Sequence, residues 1–80
     1  MKVRVHVRLK EGVLDPQGAS IGRALSRLGF GGVHDVRQGK LFELDLEADD
    51  RAAAERQVRA MCEQLLANPV IESYAISFDD

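Results

Sequence analysis

One cysteine, Cys62, and two histidines, His6 and His34, carry the readiest nucleophile, base or metal-ligand chemistry in these 80 residues. None has a partner at a spacing that would use it. Cys62 falls on the apolar stripe of a predicted helix. A reactive thiol wants a cationic, partly exposed setting, so Cys62 reads as an inert core group. His6 lies in the outward row of a predicted strand and reads as a surface residue. Gly29-Phe30-Gly31-Gly32 superficially resembles a phosphate loop. It lacks the Lys-Ser/Thr pair and the strand–loop–helix order that give such a loop its mechanism. Glycines after a helix C-terminus also turn carbonyls, not N–H groups, toward a ligand. No catalytic, cofactor-binding or metal-binding set emerges. From its residues alone the chain is a small interaction module.

The elements that would position any such group follow from periodicity. Val3, Val5, Val7 and Leu9 alternate with Lys2, Arg4, His6, Arg8 and Lys10, the period-2 pattern of a half-buried strand over residues 2–9. Gly12 supplies a bend, and Asp15-Pro16 starts a helix with a capping carboxylate and a preset φ. That helix is predicted from Pro16 to Leu28. Its apolar face is Ile21, Ala24, Leu25 and Leu28, opposite Ser20, Arg23 and Arg27. Gly29 suits a left-handed cap, with Phe30 at the hydrophobic position after it. Val33 to Ala48 reads as strand, interrupted by Arg37-Gln38-Gly39-Lys40. The interruption is either a hairpin turn or a bulge in one long bent strand. A second helix is predicted from Arg51 to Ala67, capped by Asp49 or Asp50. Its buried stripe is Ala54, Val58, Met61, Cys62 and Leu65, with Glu55 and Arg59 as an i,i+4 pair. Asn68-Pro69 stops it, Asn68 being suited to a left-handed cap. The last strand runs from Val70 to Phe78 with Tyr74, Ile76 and Phe78 inward. Asp79-Asp80 forms a solvated end.

This order predicts a single α+β domain over residues 1–80. The expected fold is a ferredoxin-like two-layer sandwich, an antiparallel sheet with two helices on one face. It would be βαββαβ, or βαβαβ with one long bent middle strand. The basic row of the first strand would then pair with the acidic row Glu43, Asp45 and Glu47. A chain this short buries only roughly 60–65% of its unfolded surface. One cysteine excludes an internal disulfide, which leaves oligomerisation as the added support. The net charge of −2, with 11 basic and 13 acidic residues well mixed, argues against nucleic acid as a partner. No apolar run approaches a membrane span, and the charged N-terminus is no signal peptide. A cytoplasmic protein is expected.

Several blocks carry a resemblance. Leu9-Lys-Glu-Gly-Val-Leu-Asp-Pro-Gln-Gly18, Leu28-Gly29-Phe30, Val33-His-Asp-Val-Arg-Gln-Gly-Lys40, Met61-Cys62-Glu63 and Leu65-Leu-Ala-Asn-Pro-Val-Ile-Glu72 occur in this order along nearly the whole chain. Together they resemble the PurS subunit family of phosphoribosylformylglycinamidine (FGAM) synthase. The resemblance implies a small non-catalytic subunit of a glutamine- and ATP-dependent ligase of de novo purine biosynthesis. In that family the PurL subunit carries the ATP- and Mg-dependent synthetase chemistry and PurQ is the glutaminase. PurS assembles the two and supports ammonia transfer. The implied partners are a PurL-type and a PurQ-type subunit and a second copy of the chain, with no cofactor on the chain itself.

Two other classes fit the strand–helix order. An ACT-type small-molecule-sensing domain is the alternative. An RNA-binding module would need stacking aromatics on the outer sheet face, and Tyr74 and Phe78 are placed inward. The expected partner interface is two polar corners, Lys10 to Gly18 and Asp35 to Lys40. Lys10, Asp35, Arg37 and Lys40 carry its charge, and Gly12 and Gly39 would admit a partner's backbone.

Overall fold

The computed structural model describes residues 1–79; Asp80, read above as part of a solvated end, lies outside the described residues. Strand β1 (Lys2–Leu9) is followed by helix α1 (Pro16–Arg27), strand β2 (Gly39–Asp45), helix α2 (Arg51–Met61) with a π-helical extension (Cys62–Leu66), and strand β3 (Glu72–Asp79). The sheet order is β2-β1-β3, and β1 pairs antiparallel with both neighbours. The α+β class, the antiparallel sheet and the two helices are as expected; the element order is βαβαβ, with a short middle strand in place of the long bent one.

The core lies between one sheet face and α2. Val3, Val5 and Val7 alternate inward on the central strand and are fully buried. Val5 stands opposite Phe42 on one side and Ile76 on the other. Ala54, Val58 and Cys62 close the core from α2. Asp50 caps that helix by accepting from the Ala53 N–H at 2.7 Å. On the outer face the basic row meets the acidic row in register, Lys2 opposite Asp45 and Arg4 opposite Glu43. The ion pair that Arg4 makes, however, reaches the other edge, to Asp79 at 3.3 Å.

Three expectations need correction. Residues 33–38 join no strand, so neither the hairpin nor the long bent strand forms, and β2 is confined to Gly39–Asp45. The segment instead lies along α1, with Val36 against Gly18 and Gly22. Leu65 is 83% exposed, and Leu66 and Ala67 take its place inside. The cause is the π-turn, in which the Ala67 N–H reaches the Cys62 carbonyl at 2.9 Å. One extra residue in the turn rotates the stripe past Leu65. Asn68 does not adopt a left-handed conformation, because every described positive φ belongs to a glycine. Its side chain instead accepts from the Val70 N–H at 3.0 Å, so the chain reverses by a side-chain-built turn.

Helix α1 is well formed locally and poorly covered. Its N-terminus is capped by Asp15, and its C-terminus closes with Gly29 at φ 101°. There the Phe30 N–H bonds to the Leu25 carbonyl and the Gly29 N–H to that of Ser26, the paired bonds of a Schellman motif. Yet none of its residues belongs to the core cluster. Ile21, Leu28 and Phe30 are exposed, Leu28 at 73%. The radius of gyration is 16.0 Å, against about 12 Å for a compact chain of this length. The molecule is elongated, 50 × 27 × 14 Å, with one apolar helix face uncovered.

Candidate partner-binding corner

The two polar corners expected from sequence are one corner in space. Asp15 joins them. Its carboxylate is only 6% exposed. Oδ1 accepts from the Gly18 N–H at 2.8 Å, which caps α1, and Oδ2 accepts from the Gln38 N–H at 2.7 Å, which tethers the approach to β2. These two bonds to the charged form, Gln38 first and Gly18 second, hold the Asp15 carboxyl below its ordinary value. Gly18 is required beside it, because a Cβ there would collide with the Val36 carbonyl and stand 2.8 Å from Asp15 Oδ2.

Arg37 crosses from the second loop to the first. Its guanidinium donates to the carbonyls of Val13 at 3.2 Å, Leu9 at 3.4 Å and Lys10 at 3.3 Å. Leu9 ends β1, and Lys10 and Val13 lie in the turn that leaves the sheet, where the Val13 N–H also bonds the Lys10 carbonyl at 3.1 Å. Lys10 ties the corner to the far end of α2: its N–H bonds the Ile71 carbonyl at 2.8 Å and its ammonium the Pro69 carbonyl at 2.7 Å. Lys40 faces Glu72 at 3.6 Å. Between the loops lies a polar cleft of about 530 Å3, bounded by Arg8 to Gly12, Arg37 and Gln38.

The expected site residues therefore divide. Lys10, Arg37 and Lys40 are brought together, but each is engaged within the chain. Arg37, expected at the partner interface, bonds three carbonyls of its own chain. Gly12 has φ 85° with open space around it, so the turn itself requires glycine. Gly39 admits the chain's own backbone, since a Cβ there would meet the Val7 carbonyl at 2.8 Å. Asp35 is exposed and borders the cleft.

Sequence reasoning found Asp15 as a cap but missed its second bond. It also missed Glu72, whose Oε1 accepts from the Asn68 N–H at 2.7 Å. Gln38 carries no local signal, because its partner is 23 residues away, and Glu72 reaches back four residues across a turn that no periodicity describes. Cys62 is buried as expected, and that burial pushes its thiol up, away from reactivity. Among the described residues no group of three His, Cys, Asp or Glu side chains is placed to hold a metal. No described helix is long and apolar enough to cross a membrane.

The fold and this corner define a class: a small α+β protein whose corner side chains bond the two loops to each other. Comparison with known proteins narrows the class to a family. A family model described as PurS, phosphoribosylformylglycinamidine (FGAM) synthase, matches residues 2–80. The PurS subunit of Synechocystis sp. is 52% identical over 71 residues, covering 89% of this chain and 71% of that protein. The structure of Bacillus subtilis PurS superposes with a TM-score of 0.89 at 48% identity, over 99% of this chain and 98% of that one. A structure of PurLQS from Thermotoga maritima contains a chain that matches with a TM-score of 0.88 at 36% identity, over 95% and 93%. This chain belongs to the PurS family. It is an FGAM synthase subunit, part of a ligase of purine biosynthesis, and the ACT-type alternative falls away.

Proposed function

We propose that this chain is the assembly subunit that joins a PurL-type synthetase to a PurQ-type glutaminase and supports ammonia transfer between them. The observation that carries this reading is the match, over 95% of the chain, to a protein seen in a PurLQS structure. The chain's own geometry supports it. Its strongest polar constellation, Asp15 with Arg37, is spent on closing loops, and its thiol lies in the core. ATP and Mg belong to the synthetase in this reading, and the complex works in the cytoplasm.

The same reading makes the free chain a homo-oligomer, a dimer or higher. A helix and C-terminal cap with Ile21, Leu28 and Phe30 exposed lose apolar burial unless another chain covers them.

The test is reconstitution. Purified synthetase and glutaminase of the same organism are assayed for FGAM formation with glutamine or ammonia as nitrogen donor. Adding this chain should raise glutamine-dependent turnover far more than ammonia-dependent turnover, while the chain alone releases neither ADP nor glutamate. Equal glutamine-dependent turnover with and without the chain would refute the proposal.

A further inference from the structure

Helix α1 has a second face that the apolar stripe does not use. At 100° per residue, Ala19, Gly22, Arg23 and Ser26 project opposite Ile21, Leu25 and Leu28. Segment 33–36 runs alongside that second face. Between them is an open groove of about 550 Å3 with Gly18, Ala19 and Gly22 on one wall and Val33 to Val36 on the other. The small residues make the groove. A Cβ on Gly22 would stand 3.6 Å from a Val36 methyl, and one on Gly18 would strike the Val36 carbonyl.

The groove is cationic in a chain that is not. From Pro16 to His34 there is no acidic residue, while the whole chain has a net charge of −2. Arg23 and Arg27, one turn apart, stand exposed along the groove, and neither has an ion-pair partner among the described residues. Arg4, Arg37 and Arg59 are engaged, while Arg8 and Arg56 also lack an ion pair among the described residues; what sets Arg23 and Arg27 apart is that they lie one turn apart on the same groove. Asp35 is the one acid on the groove and leaves it net positive.

We infer that this groove docks an acidic segment of a partner subunit, its carboxylates on Arg23 and Arg27 and its chain against the Ala19, Gly22 and Val33 surface. The inference rests on the assembly reading above and names a surface for it. Charge complementarity selects the occupant. Paired guanidiniums one turn apart suit carboxylates spaced along a peptide. The floor of the groove is small and apolar, with Gly18, Ala19, Gly22, Val33 and Val36 in its lining. Helix α1 then has two roles on opposite sides, an apolar face for a second copy and a cationic face for a different subunit.

The test uses the full chain as Arg23→Glu/Arg27→Glu, with Arg23→Lys/Arg27→Lys beside it. The expected result is a melting temperature and free-chain mass equal to wild type, and roughly tenfold or weaker binding to the acidic partner. The Lys pair should retain most of the affinity, and raised salt should weaken wild-type assembly more than that of the Glu pair. Assembly of the Glu pair at wild-type affinity overturns the inference and leaves the assembly reading standing. A changed free-chain mass with partner affinity intact also overturns it, because the groove would then be an interface between copies. So does inorganic phosphate raising the melting temperature of wild type but not of the Glu pair while both assemble alike. If wild type itself binds neither partner subunit, the assembly reading fails and this inference with it.

Discussion

The half of the molecule built from α2 and the sheet, and the half built from α1 and residues 28–38, are held together by different physics. In the first half, Val3, Val5, Val7, Val58 and Cys62 are fully buried and apolar contact closes the structure. In the second, the apolar residues face outward and polar bonds fix the geometry: Asp15 to two backbone N–H groups, Arg37 to three carbonyls. Hydrophobic burial is non-directional and needs area, which a single helix lying off the sheet does not have. Hydrogen bonds need little area and fix direction, so they can hold α1 in place before anything covers it. The second half is thus pre-positioned by its own chain and left open for others.

The sharpest way to break this comparison is to make one change in both halves. Val58→Asp puts an unpaired carboxylate into the dry core and should abolish cooperative folding. Leu28→Asp should leave the circular dichroism spectrum close to wild type and lower the mass measured by light scattering. If both variants unfold alike, the two halves are not held differently.

Removal of the clasp comes next in size. Asp15→Ala loses the α1 cap and the Gln38 tether together and should lower the melting temperature by roughly 5–10 °C at neutral pH. This effect depends on pH with a definite sign. The folded-state value of Asp15 is depressed, so its contribution is whole above the unfolded value of about 4 and is lost as pH falls through the lower folded value. The gap between wild type and Asp15→Ala should therefore narrow as melting curves are taken from pH 5 toward pH 2. A gap constant across that range would mean the carboxylate charge contributes nothing.

The smallest effect belongs to Arg37. Its three bonds are long and exposed, worth about 1 kcal/mol together. Arg37→Gln should lower the melting temperature by roughly 5 °C, and faster amide exchange should be confined to residues 10–18 and 37–39. Exchange that quickens equally in β1 would show the clasp to be part of the global core.

Much of this was readable in advance. The inward valines of β1, the Asp15-Pro16 start, the Gly29 cap and the inward Tyr74, Ile76 and Phe78 follow from alternation and from cap chemistry. Those signals are local, and each needs only its neighbours in sequence to act. The reading of Leu65 failed because a π-turn is chosen by packing at the end of α2, not by propensity. The reading of 33–38 as strand failed because the β1–β2 ladder stops at Arg8 opposite Gly39 and β1 ends at Leu9, which leaves no partner strand alongside the residues before Gly39. Here Val36 finds the glycine face of α1 first.

What the order of residues establishes without any coordinates is the class of fold, the central buried strand and the family. All of these rest on residue types, on periods of two and 3.6, and on blocks that occur in order along the chain and carry its family resemblance. Three dimensions add that two loops separated by some twenty residues form one corner, that Lys10, Arg37 and Lys40 serve the fold, and that α1 stands with an apolar side and a cationic side both open. These depend on which donors meet which acceptors across long sequence separations. Periodicity places a side chain on a face of its own element, but only the packing of the elements determines whether that face is covered.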